Sequence, residues 1–160
     1  MAKVDFSAIL SLQVGSAPEP KPLPNGTYVG RIASLPSISD RQTKEGVKMI
    51  VSFAVDLAEP MDDVDQDELA TAGGLLRSNG DAKQVRREVW IDPADKESRY
   101  PLDQLLAGFG YTAASKMDYT AVFEELPGRE VIVAIERREY SKRDGTTGQT
   151  TDVKRMHANV

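Results

Sequence analysis

A chain of 160 residues, 40% hydrophobic and 28% charged, has the length and composition of one globular domain with its own core, burying roughly 70% of its unfolded surface. It holds no cysteine and one histidine, His157, which excludes disulfides, zinc–thiolate sites, cysteine catalysis, His-cluster metal sites and Ser-His-Asp triads. A net charge of −5 argues at first against a phosphate-rich partner, and the absence of any run of about 18 apolar residues argues against a membrane span.

The charge is unevenly spread. Between Asp56 and Glu68 stand seven of the 25 acidic residues and no basic one, leaving 18 acidic against 20 basic residues elsewhere. Total charge therefore does not decide the partner. The opening Met1–Asp5 lacks the apolar stretch of a secretory signal, so the expected location is cytoplasmic.

Residues 1–24 read as an N-terminal arm and a proline-rich linker. Phe6, Ile9 and Leu10 recur at helical spacing, with Leu12 and Val14 following. Pro18, Pro20, Pro22 and Pro24 then favour an extended polyproline path. The segment is either a disordered tail or a docking arm whose apolar residues pack on a neighbouring subunit. Residues 25–160 are expected to form the folded domain, with an acidic insertion at about 56–83.

That domain opens on the turn pair Asn25-Gly26. A first strand is predicted over 27–35, with Gly30 inside it marking a bulge or bend, and a polar loop over 36–46. The second strand, 47–57, is the clearest element. Val47, Met49, Val51, Phe53, Val55 and Leu57 occupy every odd position, the signature of one face in a core. A third strand over 84–91 puts Val85, Val89 and Ile91 on one face and Arg86, Glu88 and Trp90 on the other.

A helix is predicted after Pro101, with Leu102, Leu105, Leu106 and Phe109 at i, i+3, i+4 and i+7 and Gly110 ending it. A second helix starts at the cap Asp118, carries Tyr119, Val122, Phe123 and Leu126, and stops at Pro127-Gly128. A closing hairpin runs from Val131 through a loop over 141–149 and back over 150–158.

Five strands with a helical segment between the third and fourth is the order of the OB-fold, a small Greek-key barrel, mainly β with some helix. Oligonucleotides lie across strands 2 and 3 of that barrel, between the loops joining strands 1–2 and 4–5. Three features fall on that surface. Trp90 faces outward beside Arg86, offering an indole on which a base can stack. Lys48 sits on the outward face of the second strand. Arg41 and Lys44 lie in one flanking loop and Lys142 and Arg143 in the other, with Arg138 and Tyr140 leading into it. Tyr28 is a further stacking candidate. Each feature alone has an ordinary reading, as a rim tryptophan or a solvated cation, and their convergence carries the inference.

Other chemistries find little support. Asp63, Asp65 and Asp67 follow a D-x-D-x-D rhythm, but the sixth and twelfth places of a calcium loop hold Glu68 and Gly74 in place of Gly and Glu. No G-x-x-x-x-G-K-[ST] phosphate loop is present. For a nuclease, Asp92, the Glu136-Arg137-Arg138 run and Glu124-Glu125 have no specific spacing. No catalytic residue, metal or cofactor is expected.

Val4-Asp5-Phe6-Ser7, Leu23-Pro24-Asn25-Gly26-Thr27-Tyr28, the alternating second strand, Asp62-Asp63-Val64-Asp65 and Pro127-Gly128-Arg129-Glu130-Val131 together resemble small phage-encoded single-stranded-DNA-binding proteins of the OB-fold type. The resemblance implies a non-catalytic protein of replication or recombination that coats single-stranded DNA and hands it to replication or recombination proteins. Many such proteins end in an acidic recruiting tail, whereas this sequence ends Lys154-Arg155-Met156-His157-Ala158-Asn159-Val160. The expected partners are single-stranded DNA, those proteins and further copies of the chain through its N-terminal arm, with no membrane. The alternative from another class is a phage structural or adaptor protein using the same barrel for protein contacts.

Overall fold

A computed structural model of the chain describes residues 6–15 and 21–159. Six antiparallel strands form one sheet: β1 (Gly26–Ile32), β2 (Ser37–Thr43), β3 (Gly46–Pro60), β4 (Gln84–Ile91), β5 (Glu130–Ser141) and β6 (Thr147–Ala158). The helices are few and short: α1 (Ser7–Leu10), α2 (Gln66–Thr71), α3 (Tyr100–Ala107) and α4 (Tyr119–Glu125). Among the described residues no helix is long and apolar enough to cross a membrane.

The sheet runs β2-β3-β1-β5-β6, with β4 on the other edge of β3. β3 organises it because its 15 residues serve three partners. Met49 to Asp56 pair with β4, Gly46 to Ser52 with β2, and Val55 to Pro60 with β1. The alternation of its odd residues explains this position: Val51, Phe53, Val55 and Leu57 are all buried. The register of β1 on β3 slips between Val29 and Gly30, so the internal glycine does mark a bulge. A Cβ at Gly30 would stand 2.5 Å from the Asp56 carbonyl oxygen, a distance no side chain tolerates.

Two sequence expectations are corrected here. The sheet has six strands and not five, because part of the expected loop over 36–46 is strand β2, hairpinned onto β3 through Lys44-Glu45. β2 carries no apolar stripe, and its first six residues are exposed, so hydrophobic periodicity could not reveal it. It is a strand because β3 extends past the core and offers a free edge. The closing strands are also longer than predicted, pairing out to Ser141 and Thr147.

Helices α3 and α4 cover the core face of the sheet. Leu102, Leu105 and Leu106 of α3 and Val122 and Phe123 of α4 are buried, and Phe123 meets Phe53 edge-on at 5.9 Å. Asp118 caps α4 as its sequence position implies, accepting from the Ala121 N–H at 2.8 Å. Phe109 is buried just beyond the end of α3.

The N-terminal arm meets the core sooner than composition indicates. Leu23 and Pro24 are buried. Tyr28 Oη donates to the Pro24 carbonyl at 2.8 Å, and Arg137 donates to the carbonyls of Leu23 and Pro22. Tyr28 is fully buried, and burial pushes its phenol up to about 12. It therefore presents no face to a ligand, contrary to the stacking expectation. Pro18 and Pro20 lie outside the described residues.

The acidic insertion is structural in part. Asp65 caps α2, accepting from the Asp67 and Glu68 N–H groups. Asp63 fastens the insertion to the start of β1, accepting from Thr27 N at 2.9 Å and Thr27 Oγ1 at 2.7 Å. Those bonds hold its carboxyl below the ordinary value of 3.8. A folded-state value below the unfolded one adds stability above about pH 4, which disappears as acid protonates the group. Asp63→Asn is therefore expected to unfold at lower temperature than the wild type at pH 7, with the gap narrowing below pH 4 in thermal melts followed by circular dichroism.

Candidate nucleic-acid interface

The register of β2, β3 and β4 builds one outward face in rows. Arg41 lies opposite Lys48; Ser39, Ile50 and Trp90 share the next row; Ser37, Ser52 and Glu88 the next; Ala54 and Arg86 the last. Strand parity places Trp90 correctly. It is 43% exposed while Val89 and Ile91 beside it are buried. The Arg41 guanidinium stands 5.8 Å from the centre of the indole ring, within cation–π range. Trp90 Nε1 donates to Glu88 Oε2 at 3.4 Å. Below the ring opens a cleft of about 490 Å³ lined by Lys44, Glu45, Lys48, Asp92 and Ser98.

Several of the expected cations already have partners. Lys48 is half-buried and donates to Asp92 Oδ2 at 3.1 Å, with Glu45 at 3.8 Å. This bond and one from Ala94 N hold the Asp92 carboxyl below its ordinary range, the backbone contribution being the larger. Lys48 is therefore a buttress under the cleft and not the open cation expected. Arg138 donates to Asp152 Oδ2 at 2.7 Å. Arg41 and Lys44 remain exposed at the β2–β3 hairpin.

The remaining sites fall further along. Arg86 shares the outward face of β4 with Trp90, four residues away, about 13 Å along the strand. It lines a cleft of about 530 Å³ between β4 and β6 with Arg87, Glu88, Asp152 and Lys154. Asp152 also holds Arg138, so this cleft leads toward the outer half of the β5–β6 hairpin. There Tyr140 lies against Gly148, where a Cβ would stand 2.7 Å from both Tyr140 Cζ and Lys142 Cε. Lys142 and Arg143 form the turn beyond. The two basic loops thus sit on two clusters, one around Trp90 and one at the β5–β6 tip, with the Arg86 cleft adjoining both strands that carry them.

Arg87 and Lys154 were missed by sequence reasoning. Arg87 shares the parity of the buried Val85 and Val89, which hid it, yet it reaches the surface at the margin of the sheet. Lys154 follows the buried Val153, so alternation along the last strand could have found it. Ser52 Oγ is buried on the Glu88 row and has no hydrogen-bond partner among the described residues.

The fold defines a mainly β protein with a six-stranded antiparallel sheet and a tryptophan-bearing outer face. No protein-family model and no curated protein matches the sequence. Among solved structures it is similar to the small single-stranded DNA-binding protein from Streptomyces coelicolor, at 14% identity over 84% of this chain and 92% of that one, with a TM-score of 0.26. It is likewise similar to the Plasmodium falciparum SSB in complex with ssDNA, at 14% identity over 85% and 92% of the two chains, with a TM-score of 0.26. At such scores neither likeness assigns a role to any residue.

Proposed function

We propose that this protein is a non-catalytic, sequence-tolerant single-stranded-DNA-binding protein of phage replication or recombination, built on an OB-type arrangement. In that arrangement β1 and β2 together stand for one long bent first strand, and α3 and α4 for the helical segment before the last hairpin. The observation that carries the reading is the half-exposed indole of Trp90 beneath the Arg41 guanidinium. A base stacks on the ring, and Arg41, Lys44 and Arg86 neutralise the phosphates that follow. Tyr140, Lys142 and Arg143 extend the track at the β5–β6 tip. Arg138 joins it by exchanging a carboxylate for a phosphate. Single strands are preferred because bases in a duplex are already stacked on each other. Sequence tolerance follows because every base has a π-face.

The chain has one tryptophan, so its own fluorescence reports the event. Titration with oligo-dT is expected to quench that emission, with an affinity falling steeply as salt rises. For about five phosphates neutralised, the slope of log K against log[salt] is about −3.5. Duplex DNA of equal length is expected to quench weakly. Unquenched emission with oligo-dT at low salt overturns the stacking, and equal affinity for duplex overturns the class. The adaptor alternative is favoured by the exposed apolar arm and requires that no oligonucleotide bind at all.

A further inference from the structure

The clefts along β4 and β6 join into one trough. The strand order makes β4 and β6 point the same way, and the residues that line the gap between them agree. Gln84 and Val85 lie with Gln149 and Thr150, and Arg86 to Glu88 lie with Thr151 to Lys154. Thr151 lines both the cleft of about 530 Å³ and a neighbouring one of about 440 Å³. Trp90 stands on β4 just past one end of the trough. At the other end Gln149 adjoins Gly148, against which Tyr140 lies. From Trp90 to Gln84 is six residue steps, about 20 Å of strand.

This trough is basic on a chain of net charge −5. Arg86, Arg87 and Lys154 line its Trp90 end and Lys21, Arg77 and Lys83 its Gln149 end, against the carboxylates of Glu88 and Asp152 alone. Both carboxylates are engaged, Asp152 by Arg138 at 2.7 Å and Glu88 by the indole N–H of Trp90 at 3.4 Å. Arg87 donates to the Glu88 carbonyl at 3.3 Å. Lys154 stands 4.0 Å from Glu136, at the limit of an ion pair. Arg86 forms no ion pair among the described residues. No main-chain ladder joins β4 to β6 among the described residues, which leaves N–H groups along both facing edges to donate to phosphate oxygens.

We propose that the sugar–phosphate backbone of a single strand runs lengthwise in this trough, from the base stacked on Trp90 to the β5–β6 tip, with Arg87 and Lys154 binding phosphates. The proposal rests on the single-strand-binding reading and gives the strand its path. At a stacked rise of about 3.4 Å per nucleotide, the 20 Å of trough takes up about six nucleotides. An acidic peptide would meet the same cations. The trough ends on two exposed aromatic rings, Trp90 and Tyr140, and stacking surfaces at both ends of a phosphate-binding channel fit a chain of bases. The other course open to the strand lies at right angles across the sheet, from Trp90 over Ile50 to Ser39 of β2, a row without a cation.

The absence of native cysteines allows a direct test. Thr151→Cys and Ser39→Cys are placed singly in full-length chains, labelled with a photo-activated crosslinker and irradiated with an oligo-dT of about 20 nucleotides. Crosslinking is expected to be at least fivefold greater through Thr151→Cys, and the reverse preference overturns the lengthwise path. Separately, Arg87→Gln combined with Lys154→Gln is expected to weaken binding of the same oligonucleotide about 25-fold at about 0.1 M salt. The slope of log K against log[salt] becomes shallower by about 1.4, two phosphate contacts at about 0.7 each. Lys154→Gln alone, at an exposed position, is expected to give half of that slope change, which keeps the test independent of any folding defect at the half-buried Arg87. An unchanged slope in both variants overturns the proposal. So does octaglutamate whose binding falls in the double variant while that of oligo-dT does not. Quenching of Trp90 by oligo-dT in those same variants then leaves the single-strand-binding reading standing, whereas a wild type that oligo-dT does not quench overturns both.

Discussion

Trp90→Ala is expected to weaken binding to oligo-dT by between about 5-fold and 150-fold, the equivalent of ~1–3 kcal/mol for one stacked base. Fluorescence anisotropy of a labelled oligonucleotide measures it. The loss includes a second contribution, because Arg41 loses the ring it rests on and regains full rotamer freedom. Trp90→Phe keeps a smaller π-surface and is expected to fall between alanine and wild type. Thermal stability is expected to change little, since the indole is 43% exposed and packs on the outer face. An alanine variant that binds as tightly as the wild type would remove Trp90 from the interface and leave the basic hairpins as simple solvated loops.

The largest effect on stability is expected from Phe53→Ala. Phe53 is fully buried at the centre of β3 and meets Phe123 edge-on. Truncating such a ring costs about 3–5 kcal/mol through lost burial and the cavity left behind. The edge-to-face contact supplies part of it, about 0.5–1.5 kcal/mol. Against a typical total of about 5–15 kcal/mol, this removes a large share of the stability. Urea unfolding is expected to show a lower midpoint with an unchanged slope. Phe53→Ala combined with Phe123→Ala is expected to cost less than the two separately, because each single change already breaks the shared contact. Independent, additive losses would mean that α4 contributes nothing through that contact.

Much of this arrangement was legible in the sequence because burial leaves a period. The odd residues of β3 announced the core, and the parity of β4 put Trp90 outside with Arg86. Gly30, Asp118 and Gly128 marked a bulge, a helix start and a stop through backbone requirements that few other residues meet. What stayed hidden was decided by pairing and not by burial. β2 has polar side chains on both faces and exists only through its ladder with β3. The neutralisation of Lys48 by Asp92 and of Arg138 by Asp152 joins residues 44 and 14 positions apart, and only the register reveals it. A count of cations along the chain therefore overstates how many are open to a ligand.

The margin between β4 and β6 has a consequence of its own. The two strands face each other across the Arg86 cleft, yet among the described residues no backbone ladder ties them together. Every other neighbouring pair in the sheet must break main-chain hydrogen bonds to separate, and this one need not. The cleft can therefore widen at low energetic cost. A gap left unlaced in this way lets one rigid scaffold accommodate guests of unequal size.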